Sequence, residues 1–385
     1  MVEAVRRGRP QRAVARQWRV SLATVQYWLR RARGRRLERV DWADRPAGPR
    51  RPRRTPRAVE ARILALRREL QETSVLGECG GGAIQRAWRA RWRTPSPALR
   101  TIGRILVRRG ALDGQRRVRR APPPRGWYLP AVAAGRAELD SVDIVEGLVL
   151  KGGPEVEVLT GLSLHGGVPA AWPQAGVTAA FVVAALIAHW RAQGLPAYAQ
   201  FDNDTRFQGP HQFTDVVGRV TRLCLSLGVV PVFVPVQEPG FQGALEQFNG
   251  RWQAKVWARF RHASLAALQT RSVRYVAAYR RRVAARADAA PVRRPFPARW
   301  RLDLRTTPRG RLVFLRRTDA QGRMSLLGHT VTVHRHWPHR LVRAEVTLPE
   351  GPIRCFALRR RDPASQPLLR QADYQLPRSR RALEE

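Results

Sequence analysis

Gln237-Glu-Pro-Gly-Phe-Gln-Gly-Ala-Leu-Glu-Gln-Phe-Asn-Gly-Arg-Trp-Gln253 opens as a Pro/Gly loop and becomes a helix at about Ala244. Leu245, Phe248, Trp252 and Val256 recur at helical spacing and predict one buried stripe. Glu246, Asn249 and Gln253 fall on another face, about one turn apart. A carboxylate and an amide are therefore held on one side of a packed helix, just after a loop. Upstream, two strand-like segments each carry an acid: Val142-Asp143-Ile144-Val145 and Tyr198-Ala-Gln-Phe-Asp202-Asn203. Three carboxylates delivered by two strands and a helix suit a two-metal phosphoryl-transfer site.

The wider composition fits that chemistry. The chain has 385 residues, so two to four domains are expected. Its formal charge is +42, from 71 basic and 29 acidic residues. Only Lys151 and Lys255 are lysines, so the positive charge is almost all guanidinium, whose planar fork matches phosphate. High-GC coding would explain the missing lysines but not the excess of bases over acids. A polyanionic partner, most simply double-stranded DNA, is implied. Cys79, Cys224 and Cys355 are far apart and match no zinc spacing, which fits buried thiols in a reducing compartment. No apolar run is long enough to span a bilayer, and no signal core opens the chain. The expectation is a cytoplasmic, nucleoid-associated protein without a membrane partner.

In chain order, residues 1–44 read as a helix-turn-helix domain. Ser21 caps a second helix whose Leu22, Val25 and Leu29 face inward. Thr24, Gln26, Tyr27 and Arg30 face out, where a recognition helix meets base edges; a plain helical hairpin with a solvated basic face is the alternative. Residues 45–56 are an Arg/Pro linker. Residues 57–114 predict a second helix-turn-helix, winged-helix-like module. Its last helix is expected to be capped by Ser96, with Pro97 first and Leu99, Ile102 and Leu106 inward. Arg100, Thr101, Arg104 and Arg108 would project from it. A second Arg/Pro linker covers 115–136.

From 137 to 265 strands and helices alternate, which predicts an α/β core with a mixed sheet. Expected elements are strands at 138–145, 155–164, 197–202 and 229–234, a Thr178-capped helix, and a helix at 213–227. Residues 266–309 read as a helical connector. Short strands in 310–365 predict a small C-terminal β-barrel, followed by a tail at 366–385.

Asp143 lies between Val142 and Ile144, so its side chain takes the face opposite theirs. Asp140 is its rival, but stands an odd number of positions away and faces the other side; Asp143 is preferred. Asp202 ends a strand, where the bland alternative is an Asx-turn. Glu246 alone would read as a solvated helix residue.

Taken together, the runs 142–153, Phe201-Asp-Asn-Asp-Thr-Arg-Phe207 and Gly243-Ala-Leu-Glu-Gln-Phe-Asn249 resemble the integrase catalytic core of bacterial insertion-sequence transposases, within the DDE superfamily of retroviral integrases. The resemblance covers 138–262 by motif. It implies a multidomain protein with all-α DNA-reading modules and a central RNase H-like core. It assigns Asp143, Asp202 and Glu246 as catalytic metal ligands, with Asn203 and Asn249 supporting. Two Mg²⁺ ions are implied, with Mn²⁺ able to substitute. The implied activity is cleavage at an element's terminal repeats, then 3′-OH attack on target DNA by a homo-oligomer assembled on DNA. Arg251 and Lys255 are expected phosphate contacts, or else solvated charge. Asp204 stands where the family usually has Gly, and an insertion falls at about 208–215. The competing class is a domesticated sequence-specific DNA-binding protein with an inactive core.

Overall fold

The computed structural model describes residues 1–44, 55–112, 125–210, 213–236, 238 and 240–377. Residues 45–54 of the first Arg/Pro linker, 115–124 of the second and 378–385 of the tail lie outside the described residues. The chain divides into two compact units, 1–60 and 61–385.

The first unit is helical: α1 (Val2–Arg6), α2 (Gln11–Gln17) and α3 (Leu22–Ala32). The tight turn between α2 and α3 places Arg19 at φ 50°. Ser21 caps α3, its hydroxyl accepting from the Thr24 amide at 3.1 Å. Val14 and Val25 are fully buried where the two helices meet, as the inward stripe requires.

The second unit begins with α4 (Arg57–Thr73, mostly within it), α5 (Gly81–Arg91) and α6 (Leu99–Arg108). Here the expectation fails in detail. The α6 helix starts at Leu99, not Pro97, and its N-cap is the extended Ala98. The Ser96 hydroxyl and Pro97 carbonyl are taken by Arg89 and Gln85 of α5, so neither serves α6. Leu99 is 53% exposed, and Ile105 joins Ile102 and Leu106 in the buried stripe instead.

A nine-stranded sheet forms the rest. It comprises β1 (Leu139–Val149), β2 (Glu155–Ser163), β3 (Pro169–Gln174), β4 (Tyr198–Phe201), β5 (Val230–Phe233), β6 (Gly310–Arg317), β9 (Leu341–Leu348), β10 (Glu350–Ala357) and β11 (Leu368–Gln375), while β7 (Arg323–Leu326) and β8 (His329–Thr332) form a separate ribbon. Its order is β11-β10-β9-β6-β5-β4-β1-β2-β3. β1 to β3 are an antiparallel meander, and β4 and β5 run parallel to β1. That mixed sheet is compatible with an RNase H-like core. The separate C-terminal barrel is not what forms. β6 pairs in parallel with β5 through Val232–Val313 and Phe233–Phe314, so the C-terminal strands extend the core sheet. The expected tail supplies an edge strand, β11.

Helices cover the sheet unequally. After the short α7 (Pro130–Ala133), α8 (Ala179–Gln193) is capped by Thr178 as expected. With α10 (Arg219–Ser226) it packs a large cluster containing Val142, Trp190, Phe201 and Leu223. The predicted helix at 213–227 is shortened to α10. Its start is set by the close backbone contact of Gly209 and Gly218, where the Gly218 amide donates to the Gln208 carbonyl at 3.0 Å. On the opposite face, α11 (Gly243–Trp252) and α12 (Leu265–Asp288) enclose Val145, Leu148, Leu245, Phe248, Trp252 and Val256. Thus the expected connector, α12, is a core helix: Ser272 donates to the Ala171 carbonyl of β3 at 3.1 Å and accepts from the Trp252 indole at 3.0 Å. Among the described residues no helix is long and apolar enough to cross a membrane.

Candidate active site

Strand parity separates the two acids of β1. Asp140 shares the α8 face with Val142. It is 3% exposed, accepts from the Trp190 indole at 3.1 Å, and is ion-paired with Arg293. Asp143 takes the α11 face. Its Oδ1 accepts from the Ile144 amide at 2.9 Å, and its Oδ2 accepts from Asn249 Nδ2 at 2.9 Å. The Asn249 Oδ1 atom is buried without a hydrogen-bond partner. Glu246 lies one turn earlier on α11 and is exposed.

The charges of Asp202 and Glu246 both reach Asp143. Burial, then the charge of Asp202, raise the Asp143 carboxyl to about 6; Glu246 adds to the rise, while the Ile144 amide and Asn249 oppose it. Asp202 is also raised, by burial first and then by Asp204 and Glu146, with the Asp204 amide and Arg206 opposing. Among the described residues no three His, Cys, Asp or Glu side chains converge closely enough to hold a metal ion. The donor set is nonetheless of the hard-oxygen type that Mg²⁺ favours. Like charges crowd Asp143, and an orphaned amide oxygen lies beside it; a divalent cation would relieve the repulsion. The chemistry of these donors suits such an ion, while their side chains do not converge on one point.

Long-range polar links set this arrangement. Ser141 donates to Gln200 Oε1 at 2.9 Å, Gln200 donates to the Tyr128 hydroxyl at 2.6 Å, and Tyr128 donates to the Phe241 carbonyl at 3.2 Å. Buried side chains thereby tie β1 and β4 to the loop that launches α11. Asn203 spans the ends of β4 and β5, donating to the Val234 carbonyl at 2.7 Å and accepting from Arg316 of β6 at 2.8 Å. Burial pushes the Arg316 guanidinium down to about 10. After Trp252 the α11 helix widens into a π turn, 253–257, a local distortion often found at functional sites.

One residue that the sequence reading missed is Arg206. It holds Asp204 through Nε–Oδ1 at 2.8 Å and Nη2–Oδ2 at 2.6 Å, Glu157 at 2.9 Å, and Glu146 at 2.5 Å. A bulge in β1 between Val145 and Leu148, with Gly147 at φ 74°, accompanies the placement of Glu146. Asp204 also caps α9 (Thr205–Gln208). Its φ of −61° is ordinary for any residue, so Asp in place of Gly there carries no backbone strain. The only sequence signal was the local density of acids around one Arg.

The remaining predicted residues lie elsewhere. Gln26, Tyr27 and Arg30 are exposed on α3, whereas the Thr24 hydroxyl is engaged with Ser21 Oγ at 2.8 Å. Arg100, Arg104 and Arg108 are exposed on α6, and Thr101 is half-buried. Arg251 donates to the Tyr279 hydroxyl at 3.2 Å. Lys255 is half-buried beside Gly77.

No family model and no curated protein matches the chain. Among solved structures it is similar to the HTLV-2 integrase catalytic core domain in complex with magnesium, at 13% identity over 35% of this chain and 82% of that one, TM-score 0.27. It is similar to a simian T-cell lymphotropic virus intasome in complex with PP2A regulatory subunit B56 gamma, at 14% identity over 75% and 91%, TM-score 0.33. A third is the catalytic core domain of BIV integrase, at 17% identity over 35% and 80%, TM-score 0.25. Likeness at these scores decides no activity, and the functional reading rests on the residues of this chain.

Proposed function

We propose that this chain is a DDE-type transposase, which binds the terminal repeats of an insertion sequence and carries out Mg²⁺-dependent cleavage and strand transfer. The observation that carries the reading is the pairing of Asp143 on β1 with Asn249 on α11, where the charges of Asp202 and Glu246 both raise the Asp143 carboxyl. A buried carboxylate raised by two neighbouring acids is costly as pure scaffolding and suited to meeting a cation.

Asp143, Asp202 and Glu246 would hold two divalent ions, Mg²⁺ or Mn²⁺. When bound, such a pair stabilises charge on the attacking and leaving oxygens of a phosphodiester. The chain's own work is orientation. Asn249 and the Ile144 amide fix the plane of the Asp143 carboxylate, and Asn203 fixes the loop that carries Asp202. Water first hydrolyses the element end to give a 3′-OH. That hydroxyl then attacks a target phosphodiester, releasing the target's own 3′-oxygen, without a covalent enzyme intermediate. The exposed faces of α3 (Gln26, Tyr27, Arg30, with Thr24 at its edge) and α6 (Arg100, Thr101, Arg104, Arg108) would read and grip the ends. Arg251 and Lys255 would contact phosphates, and the working form would be a homo-oligomer on double-stranded DNA in the nucleoid.

A supercoiled-plasmid joining assay with the element's ends and Mg²⁺ tests the reading. Wild type should give joined product and Glu246→Gln essentially none. Equal product from both would remove the catalytic assignment and leave a DNA-binding protein.

A further inference from the structure

We propose that a recess between the end of α4 and the π turn and α12 of the core is a phosphate-binding site that grips one DNA phosphodiester away from the reacting one. The inference rests on the DNA-handling part of the reading above and goes beyond it in placing a site.

The recess has a volume of about 210 Å³ and is lined by Lys255, Arg259, Arg271 and Arg274 against one acid, Glu72. The four cations are not equivalent. Arg259 is spent on scaffolding: it donates to the carbonyls of Ser74 at 2.7 Å, Gln71 at 2.9 Å and Glu72 at 3.2 Å. It thereby clamps the carbonyl end of α4, where a cation is favoured, to the core. Arg271 lies over the Phe260 ring at 3.7 Å, and its Nε is buried with no hydrogen-bond partner. The Lys255 stem passes over Gly77, where an added Cβ would sit 2.7 Å from Lys255 Cδ. Among the described residues Lys255, Arg271 and Arg274 form no ion pair, although acids nearby do: Glu78 is taken by Arg86 and Arg282.

Unpaired surface arginine is ordinary in so basic a chain. A desolvated guanidinium donor is different, because it has given up water without gaining a partner. An oxyanion would satisfy it. Guanidinium forks and an ammonium around a recess of this size suit one phosphate, with Phe260 as an apolar floor. The position argues for DNA over a free anion. The recess lies at the seam where the helical module of α4 to α6 meets the core, and Lys255 follows Glu246 by nine residues on one helical span, about 13 Å along its axis. Duplex held by both parts would pass this seam.

The test uses the full chain carrying Arg271→Gln and Arg274→Gln, with binding to an element-end duplex measured by fluorescence anisotropy across a salt series. Loss of one neutralised phosphate should flatten the log K against log salt slope by about 0.9. Affinity at fixed salt should fall about tenfold, and thermal unfolding should be unchanged. Restoring charge with Arg271→Lys and Arg274→Lys should recover most of the slope. An unchanged slope in a folded variant overturns the proposal. Inorganic phosphate and AMP form the second arm: micromolar binding of either, abolished by the variant while the DNA slope holds, assigns the recess to a free ligand and also overturns it. Asp143→Asn separates the two readings, since it should abolish joining while leaving the salt slope intact. If that variant still joins DNA, the catalytic reading falls and the recess result stands.

Discussion

Two aspartates of one strand, three positions apart, meet opposite fates. On the α8 face, Asp140 is buried against Arg293 and the Trp190 indole, a closed ion pair that holds the sheet to its neighbours. On the α11 face, Asp143 has an amide partner and two further acids within electrostatic reach, and among the described residues no ion-paired cation. The same residue type is a structural fixture on one face and, in the proposed reading, a ligand on the other. What differs is whether the fold supplies the counter-charge itself. The sharpest way to break this contrast is to neutralise each acid in turn. Asp143→Asn should cost about 10³-fold in strand joining, as expected for losing a metal ligand, with little change in unfolding temperature. Asp140→Asn should strand the Arg293 charge and lower stability by about 3–5 kcal/mol, with joining lost only as the fold is lost. Joining assays and denaturant unfolding on both variants measure this. Reversal of the two patterns would undo the assignment of faces.

The two faces carry opposite pH dependences: the Asp143 carboxyl, raised to about 6, favours the folded chain at low pH, and the α8 face does the reverse. His189 is buried against Trp172, its Nδ1 is 3.4 Å from Arg280, and burial pushes its pKa down to about 4. Asp140 draws the proton toward it, while Arg280 and Arg293 repel it. The unfolded chain therefore binds this proton more readily than the folded one. Stability from the neutral ring is fully present above about pH 6.5 and is lost as the pH falls toward 4, by up to about 3 kcal/mol. Urea unfolding between pH 4 and 7 should show that slope as the difference between wild type and His189→Gln, which share the opposing contribution of Asp143. A slope unchanged in the variant would place the titration elsewhere.

On the α11 face the next effect is smaller. Asn249→Ala removes the donor to Asp143 Oδ2 and the orphaned oxygen together. It should reduce joining about 10–100-fold and raise the Mg²⁺ needed for half-maximal rate. Asn249→Asp would add a like charge instead and should do worse. Equal rates at all Mg²⁺ concentrations would make Asn249 a packing residue.

The parity of Asp140 and Asp143, the caps at Ser21 and Thr178, and the buried stripe of α11 were all legible, because each depends on neighbours within a few residues. The sheet was not. β3 contains Pro169 and Pro173 and shows no alternation, so nothing local marks it as a strand. The period of β6 and β9 announces strands but not their partners: Val313 pairs with Val232, far back in the chain. A barrel and a sheet extension read alike at that level. The same limit hid Arg206, whose partners Glu157 and Glu146 lie 49 and 60 positions away. Leu99 failed for a different reason. A helix start depends on which side chains claim its carbonyls and hydroxyls, and α5 had claimed those of Ser96 and Pro97.

The smallest predicted effect concerns Asp204, where the motif that the sequence resembles usually has Gly. Asp204 adds an acid two residues after Asp202, where it could compete for a cation. Instead both of its carboxylate oxygens are engaged by Arg206, and it caps α9. Its backbone angles suit Gly and Asp alike. Asp204→Gly should therefore cost about 1 kcal/mol or less of stability, since Gly is a tolerable cap, and should leave joining and its Mg²⁺ requirement within about twofold of wild type. Arg206→Gln should act more strongly, because it frees three carboxylates beside Asp202 at once and adds their repulsion to a carboxyl already raised by its neighbours. A large change in Mg²⁺ requirement for Asp204→Gly, with Arg206→Gln mild, would mean that Asp204 is itself a ligand, and that the contrast between paired and poised acids fails at the position closest to the chemistry.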